Sequence, residues 1–257
     1  MELLEWLETN TFPEESKYKD AEYAQKAYGM FAEQLKKSAT VRACIFGTIH
    51  NEATLILMDL LEEAGLHTMV GKVNMDRNSP DYLCEPSAEA SAQATREWLK
   101  AVADRKYKHT RPILTPRFTP SCTDELMELL KEIQTETHLP MQSHLSENPG
   151  EIAWVKELCP WSEFYGDAYD KFGLFGGDCP TVMAHCVYSG KEEMALMKEK
   201  GVFVAHCPES NTNLLPASHR CGGIWRRAFM WALEATWQEV LQKISLPPCL
   251  RPSRHPN

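Results

Sequence analysis

Residues 141–158 read MQSHLSENPGEIAWVKEL, and this stretch decides the fold because it joins a short strand to a helix through a polar turn. Met141–His144 is predicted as a buried strand, and Pro149–Leu158 as the helix that follows it. The same unit recurs on both sides of this stretch. The predicted strands are Val41–Ile49, Thr68–Val73, Ile113–Phe118, Met141–His144, Thr181–Cys186 and Val202–His206. The predicted helices are Asp20–Lys37, Glu52–Ala64, Ala88–Val102, Asp124–Glu136, Pro149–Leu158 and Glu192–Lys200.

Short apolar strands that alternate with helices are typical of a parallel sheet covered by helices. A closed barrel and an open doubly wound sheet share this pattern. No glycine-rich phosphate loop follows a predicted strand, which weakens the dinucleotide-binding version of the open sheet. The length of 257 residues lies within the range of one α/β barrel.

The alternation of strands and helices stops at about Pro216. Cys221–Ile244 is predicted as one helix that contains three of the seven tryptophans, and the residues after it as disordered. We therefore divide the chain into a barrel segment, residues 1–215, and a divergent tail, residues 216–257.

The composition excludes several classes of function. A net charge of −9 argues against a nucleic-acid or anionic-membrane surface, since both need a basic face. No stretch approaches the roughly 20 apolar residues of a membrane span. The nine cysteines are odd in number and contain no C-x-x-C pair, which favours reduced thiols over a disulfide framework. We expect a cytoplasmic protein that acts on a small molecule.

Polar side chains gather where the predicted strands end, which is the active face of a parallel α/β fold. One histidine at such a place is more often structural than functional. Several strands that each deliver histidine or arginine to the same edge are a stronger indication of a site. The candidates are His50, Asp76, Arg117, Phe118, His144, Glu147, His185, His206 and Cys207.

The segment QSHLSEN, residues 142–148, carries the chemistry of most interest. His144 at the strand end has the ring of a neutral metal ligand, and Glu147 can move protons beside a metal-activated water. The alternative is that Ser146 and Glu147 only cap the helix that begins near Pro149.

The other strand-end candidates have a functional and a structural reading. His185 in VMAHCV is either a metal ligand or a buried histidine bonded to the backbone. Of His206 and Cys207, only one can point inward, because neighbouring residues of a strand face opposite sides. Arg117 can donate to a carbonyl oxygen of a ligand, and Phe118 can stack on a flat ring. The structural alternative is that Arg117 forms a surface ion pair and Phe118 is a core aromatic.

Taken together and in this order, seven segments resemble the guanine deaminases of the amidohydrolase superfamily. They are LLEWLETNTFPEE, GTIH, VGKVNMDRN, TPRF, QSHLSEN, VMAHC and VAHCPESN, and they cover about residues 3–215. The resemblance implies a (β/α)8 barrel, one zinc ion per site, the hydrolysis of guanine to xanthine and ammonia, and a homodimer.

The motif positions also imply roles for individual residues. His144 and His185 correspond to zinc ligands, and Glu147 to the catalytic residue that moves protons. Arg117, Phe118 and His144 correspond to residues that contact the purine. His206, Ser210 and Asn211 match the last motif without an assigned role.

The sequence also departs from the family pattern. It contains no H-x-H pair, which the family carries on its first barrel strand as two zinc ligands, and no match to the aspartate of the eighth strand. We therefore expect an incomplete (β/α)8 TIM-type barrel with about six of the eight strand–helix units and the first and eighth strands missing. The strands Val41–Ile49 and Val202–His206 would then be open edges. Zinc binding should be weak or absent, because catalytic zinc normally has about three protein ligands.

Three functions stay open at this stage. The first is a guanine deaminase-like aminohydrolase that is impaired as an isolated chain. The second is a catalytically inactive chain that pairs with full-length subunits through its open edges. The third is an amidohydrolase for another aminated heterocycle, although Arg117 and Phe118 together with HLSEN favour guanine. None of the three has nucleic acid or a membrane as a partner.

Overall fold

The computed structural model describes residues 7–207 and 231–233. The strands are β1 (Arg42–Phe46), β2 (His67–Gly71), β3 (Val73–Asn74), β4 (Thr110–Pro112), β5 (Thr115–Pro116), β6 (Met141–Leu145), β7 (Thr181–His185), β8 (Phe203–His206) and β9 (Trp231–Leu233). The helices are α1 (Phe12–Glu15), α2 (Ala21–Lys37), α3 (Asn51–Glu63), α4 (Ala88–Arg105), α5 (Asp124–Thr137), α6 (Pro149–Leu158), α7 (Tyr165–Asp170) and α8 (Lys191–Lys200). The six predicted helices and six predicted strands are all present, with ends that differ by a few residues.

The strands are parallel and follow one another in chain order. β1 pairs with β2 and β2 with β4, while β3 pairs with β5, and β6 to β9 pair in succession. The N–H of Leu114 donates to Pro140 O, and the N–H of Gln142 donates to Leu114 O, so β6 continues the same array. A doubly wound sheet would reverse its strand order partway across, so this unbroken order is that of a barrel-type sheet.

Two stretches of strand are each divided in two. Thr68–Val73 is divided into β2 and β3. The second stretch begins at Thr110, before the predicted Ile113–Phe118, and is divided into β4 and β5, so that Ile113 and Phe118 lie outside the strands. Both divisions occur at the same level of the sheet, where the pairing passes from β2–β4 to β3–β5. Counted this way, the described residues hold seven strand positions, one more than we expected.

The additional position corrects two expectations about the tail. The edge expected at Val202–His206 is wrong, because Val204, Ala205 and His206 pair with Trp231–Leu233. The helix predicted over Cys221–Ile244 is wrong at Trp231–Leu233, where the chain is extended. The rest of that helix and the boundary between residues 215 and 216 lie outside the described residues.

Helix ends follow the capping signals in the sequence. Thr123, predicted as the N-cap of α5, accepts a hydrogen bond from the N–H of Leu126 at 3.1 Å. Asp20 and Asn148 cap α2 and α6 in the same way. Gly201 ends α8 in the left-handed conformation, with φ of 69°. These caps set where each helix begins or ends relative to the strand beside it.

Buried side chains fill the space between helices and strands on both sides of the chain's midpoint. One cluster packs α2, α3 and α4 against β1 and β2, around Leu57, Val70 and Trp98. A second packs α5, α6 and α7 against β6, β7 and β8, around Leu130 and Met183. None of the helices in the described part is both long and apolar enough to cross a membrane.

Replacing Gly71 by Ala tests the packing between β2 and β5. A Cβ atom at Gly71 would overlap Thr115 and lie 2.6 Å from Ile113 O, so we expect a loss of at least about 2 kcal/mol of unfolding free energy. The matched control is Gly29→Ala in α2, where a Cβ meets no atom within 4 Å. Gly29→Ala should raise the free energy of unfolding by about 0.5–1 kcal/mol, because it removes a glycine from a helix. Urea unfolding followed by circular dichroism measures both, and equal midpoints for the two variants would contradict this packing.

Candidate functional site

Four of the residues singled out in the sequence come together at the carboxyl ends of β5, β6 and β7. The rings of His144 and His185 are stacked, with centroids 5.5 Å apart and planes inclined by 20°. Glu147 Oε1 lies 3.4 Å from His185 Nδ1. The carbonyl oxygen of Arg117 lies 2.6 Å from His144 Nδ1.

The bond to Arg117 sets the chemistry of His144. A backbone carbonyl only accepts hydrogen bonds, so Nδ1 carries the proton and Nε2 keeps its lone pair. This is how metal-binding histidines are usually oriented. Burial, and then the nearby His185, lower the pKa of His144 to about 3, so the ring is neutral. A neutral, oriented imidazole fits a zinc ligand.

Glu147 has the properties of a proton carrier. Its side chain is buried, and burial raises the pKa of its carboxyl to about 8. The group is therefore protonated at neutral pH and can donate a proton within the site.

The turn that carries Glu147 is strained. Ser146, just before it, has φ of 47°, and His185 and Cys186 at the end of β7 have φ of 70° and 52°. Each such residue costs about 1–3 kcal/mol relative to an ordinary conformation, so the surrounding structure must hold it.

Two buried carboxylates, which the sequence analysis missed, hold this turn. Glu151 in α6 accepts hydrogen bonds from the N–H of Glu147 at 3.0 Å and from the Tyr165 hydroxyl at 2.8 Å. Glu193 in α8 accepts from the Ser146 hydroxyl at 2.8 Å and from the N–H of Gly166 at 2.6 Å. Each carboxylate thus joins the turn to one of the first two residues of α7.

The signal for these two residues was weak. Both lie in the first turn of a helix, where glutamate is usually an exposed partner of the helix dipole. Here both are almost fully buried. Burial first, and then Glu147, raise the pKa of Glu151 to about 7.

Other candidates have structural or peripheral positions. Asp76 accepts from the N–H of Thr123 at 2.8 Å and from its hydroxyl, so it supports the start of α5. His50 precedes α3, and burial followed by the charge of Lys19 lowers its pKa. His206 is buried at the end of β8, where burial and then His185 lower its pKa. Ser210 and Asn211 lie outside the described residues.

Phe118 and Cys207 are both buried near the strand ends. The ring of Phe118 packs edge-on against Trp154 of α6, with centroids 6.1 Å apart. The thiol of Cys207, just after β8, lies 3.5 Å from the carbonyl oxygen of Ala205 in that strand. Phe118 thus contributes one wall between the end of β5 and α6.

The donor set near His144 is small. In the part of the chain that the structure describes, no group of three or more His, Cys, Asp and Glu side chains is placed to hold a metal ion. His144 and His185 place two imidazole rings side by side, and this pair suits zinc in kind but falls short in number.

Comparison with known proteins gives this geometry a context. The model of the amidohydrolase family matches residues 1–228. The guanine deaminase of Dictyostelium discoideum is 42% identical over 212 residues, which are 82% of this chain and 46% of that protein. The chain therefore spans about half the length of the curated relatives it matches.

Solved structures agree with the sequence comparison. The guanine deaminase of C. acetobutylicum, solved with bound guanine in the active site, is 45% identical with a TM-score of 0.87, over 92% of this chain and 56% of that one. The E. coli guanine deaminase is 33% identical with a TM-score of 0.82, over 95% and 59%. The parallel strands in chain order, the histidines at their ends and the match over residues 1–228 agree on an α/β fold of the TIM type, and the chain belongs to the amidohydrolase family.

Proposed function

We propose that the chain is a guanine deaminase-like aminohydrolase that is impaired as an isolated chain, and that the reaction of the complete site converts guanine and water to xanthine and ammonia. The observation that carries this proposal is the convergence of His144, His185 and Glu147 beside Arg117. Support also comes from relatives and solved structures that bear the name guanine deaminase.

In this proposal Glu147 moves the protons. Hydrolysis breaks the bond between the ring carbon and the amine, and the departing nitrogen needs a proton to leave as ammonia. Glu147 holds one at neutral pH, since burial raises the pKa of its carboxyl to about 8. It regains a proton from the attacking water, so it is unchanged after one turnover. Zinc, when bound to His144 and His185, supplies Lewis-acid activation of that water.

We assign purine recognition to Arg117, Phe118 and His144. A guanidinium is a strong donor to a ring carbonyl, and an aromatic ring stacks on a flat base. Because the main chain of Arg117 also orients His144, recognition and metal binding share one backbone segment.

The proposal has further parts that rest on the resemblance. The seven strand positions belong to a (β/α)8 barrel, with residues 1–215 as the barrel segment and 216–257 as a divergent tail. One zinc ion per site, a homodimer or a pair with a full-length subunit, and a cytoplasmic location complete it.

Replacing Arg117 by Gln tests purine recognition. We expect the dissociation constant for guanine to rise by about tenfold or more, since hydrogen bonds to charged groups contribute about 1.5–3 kcal/mol. Equilibrium dialysis of labelled guanine against the zinc-supplemented 257-residue chain measures it. Arg111→Gln is the control, because Arg111 is exposed on β4. Equal affinities for both variants would refute the role of Arg117, and no guanine binding by the wild-type chain would refute the proposed function.

Zinc affinity tests the metal-binding pair. We expect the chain to lose most of its zinc during dialysis against a mild chelator, because two imidazoles are fewer than the about three ligands of a catalytic site. His144→Gln or His185→Gln should weaken the remaining affinity by at least about tenfold. His67→Gln, at the exposed start of β2, is the control. Stoichiometric zinc that survives the chelator would mean that further ligands complete the site.

A xanthine-oxidase-coupled assay tests turnover. With added zinc, we expect the 257-residue chain to form xanthine no faster than its Glu147→Gln variant. The reason is that metal binding, proton transfer and exclusion of water act as a unit, and the sequence lacks the H-x-H pair. Turnover that disappears in Glu147→Gln would overturn this expectation, and would show that this chain holds a complete site.

A further inference from the structure

The side chain of Arg117 is held by the N-terminal segment, residues 7–19. Its Nη1 lies 2.6 Å from Glu15 Oε2, and both side chains are only 11% exposed. The ring of Phe12 faces the guanidinium carbon at 5.1 Å, and Met75 Sδ lies 3.6 Å from Nη1. Within the described residues, the side-chain hydrogen bonds of Arg117 all use Nη1. Its remaining nitrogens, Nη2 and Nε, are therefore the donors left for a ligand.

Glu15 also has an atom that lacks a protein partner. Its Oε1 is fully buried, and none of the residues that the structure describes donates a hydrogen bond to it. Leaving a buried polar atom without a hydrogen bond costs about 1–3 kcal/mol, and more when the group is charged. Such an atom in a native structure calls for an explanation. A ligand that brings its own donor would supply one.

This corner belongs to the proposed site. Phe12 packs in one cluster with Val73 and Met75, near Phe46, whose ring lies 4.5 Å from that of His144. The carbonyl of Arg117 accepts the hydrogen bond from His144. Phe46 thus links the cluster of Phe12 and Met75, which the Arg117 side chain contacts, to the ring of His144.

We propose that Glu15 is a specificity-determining residue, which reads the ring N–H of a 6-oxopurine while Arg117 reads the neighbouring carbonyl. This inference rests on the proposed function, which it deepens. A 6-oxopurine such as guanine presents a carbonyl oxygen beside an N–H on its six-membered ring. A carboxylate accepts from that N–H and a guanidinium donates to that oxygen. The carbon that carries the reacting amine is the other neighbour of the same N–H, so the pair leaves it accessible.

The same pair rejects 6-aminopurines. Adenine presents an amino donor in place of the carbonyl and a bare ring nitrogen in place of the N–H. Donor would then face donor at Arg117, and acceptor would face acceptor at Glu15. Sites built to hydrogen-bond a polar group discriminate strongly against analogues that leave those groups unpaired. A purely structural ion pair between Glu15 and Arg117 would show no such preference.

The test compares hypoxanthine with adenine, which differ only at the edge in question and lack the reacting amine. Equilibrium dialysis against the zinc-supplemented chain gives the ratio of their dissociation constants. For Glu15→Gln, of almost identical shape, we expect the preference for hypoxanthine to fall by at least about tenfold, since an amide N–H can face the ring nitrogen of adenine. Glu8→Gln, an exposed position of the same segment, should leave the ratio unchanged.

Glu15→Asp provides the second variant. It keeps the carboxylate but draws it back, so both ligands should bind more weakly while hypoxanthine stays preferred. Circular dichroism identifies any variant that does not fold. If Glu15→Gln does not fold, the binding of the two ligands to Glu15→Asp decides whether the inference holds. If Glu15→Gln weakens both ligands equally, or if the ratio does not change, the inference is overturned while guanine binding by the wild-type chain still supports the proposed function. If the wild-type chain binds no purine, both fail.

Discussion

The hydrogen bond from His144 Nδ1 to the carbonyl of Arg117 links the two halves of the site. It joins the end of β5 to β6, fixes the tautomer of the histidine and leaves the lone pair of Nε2 available to a metal ion. It also fixes the backbone from which the Arg117 side chain extends toward Glu15. A shift of β5 relative to β6 would therefore disturb the imidazole and the guanidinium together.

A second constraint is the burial of acidic groups. Glu147, Glu151 and Glu193 lie close together and almost out of contact with water, a placement that carboxylates avoid unless they are protonated or hydrogen-bonded. The structure provides both solutions. Glu147 is protonated, because burial raises its pKa to about 8. Glu193 accepts two hydrogen bonds, and the short helix α7 donates to it and to Glu151.

The sequence predicted the parts of the fold that are long and periodic. The six longer helices and the parallel strands, such as β6, follow from amphipathic spacing, apolar runs and capping residues. Helix α7 was missed because it has only six residues, too few to show periodicity. Trp231–Leu233 was assigned to a helix because its pairing with β8 is a tertiary contact that local pattern does not carry.

The motifs predicted which candidate residues would be grouped together. They did not predict the residues whose position depends on tertiary packing. Arg117, His144, Glu147 and His185 meet because parallel strands end at one edge. Phe118 was named as a purine contact, and its ring packs against Trp154. Glu15, Glu151 and Glu193 were not found, because nothing local distinguishes a glutamate that becomes buried from one that stays in water.

The ion pair of Glu15 with Arg117 has a consequence for the order of folding, since the two residues are 102 positions apart. Closing a chain loop of this length costs about 4 kcal/mol in entropy, so we expect the contact to form after the more local pairings among β1 to β5. The contacts of Arg117 with Glu15 and Phe12 are lost together if the N-terminal segment detaches, while the hydrogen bond of its carbonyl to His144 does not involve that segment.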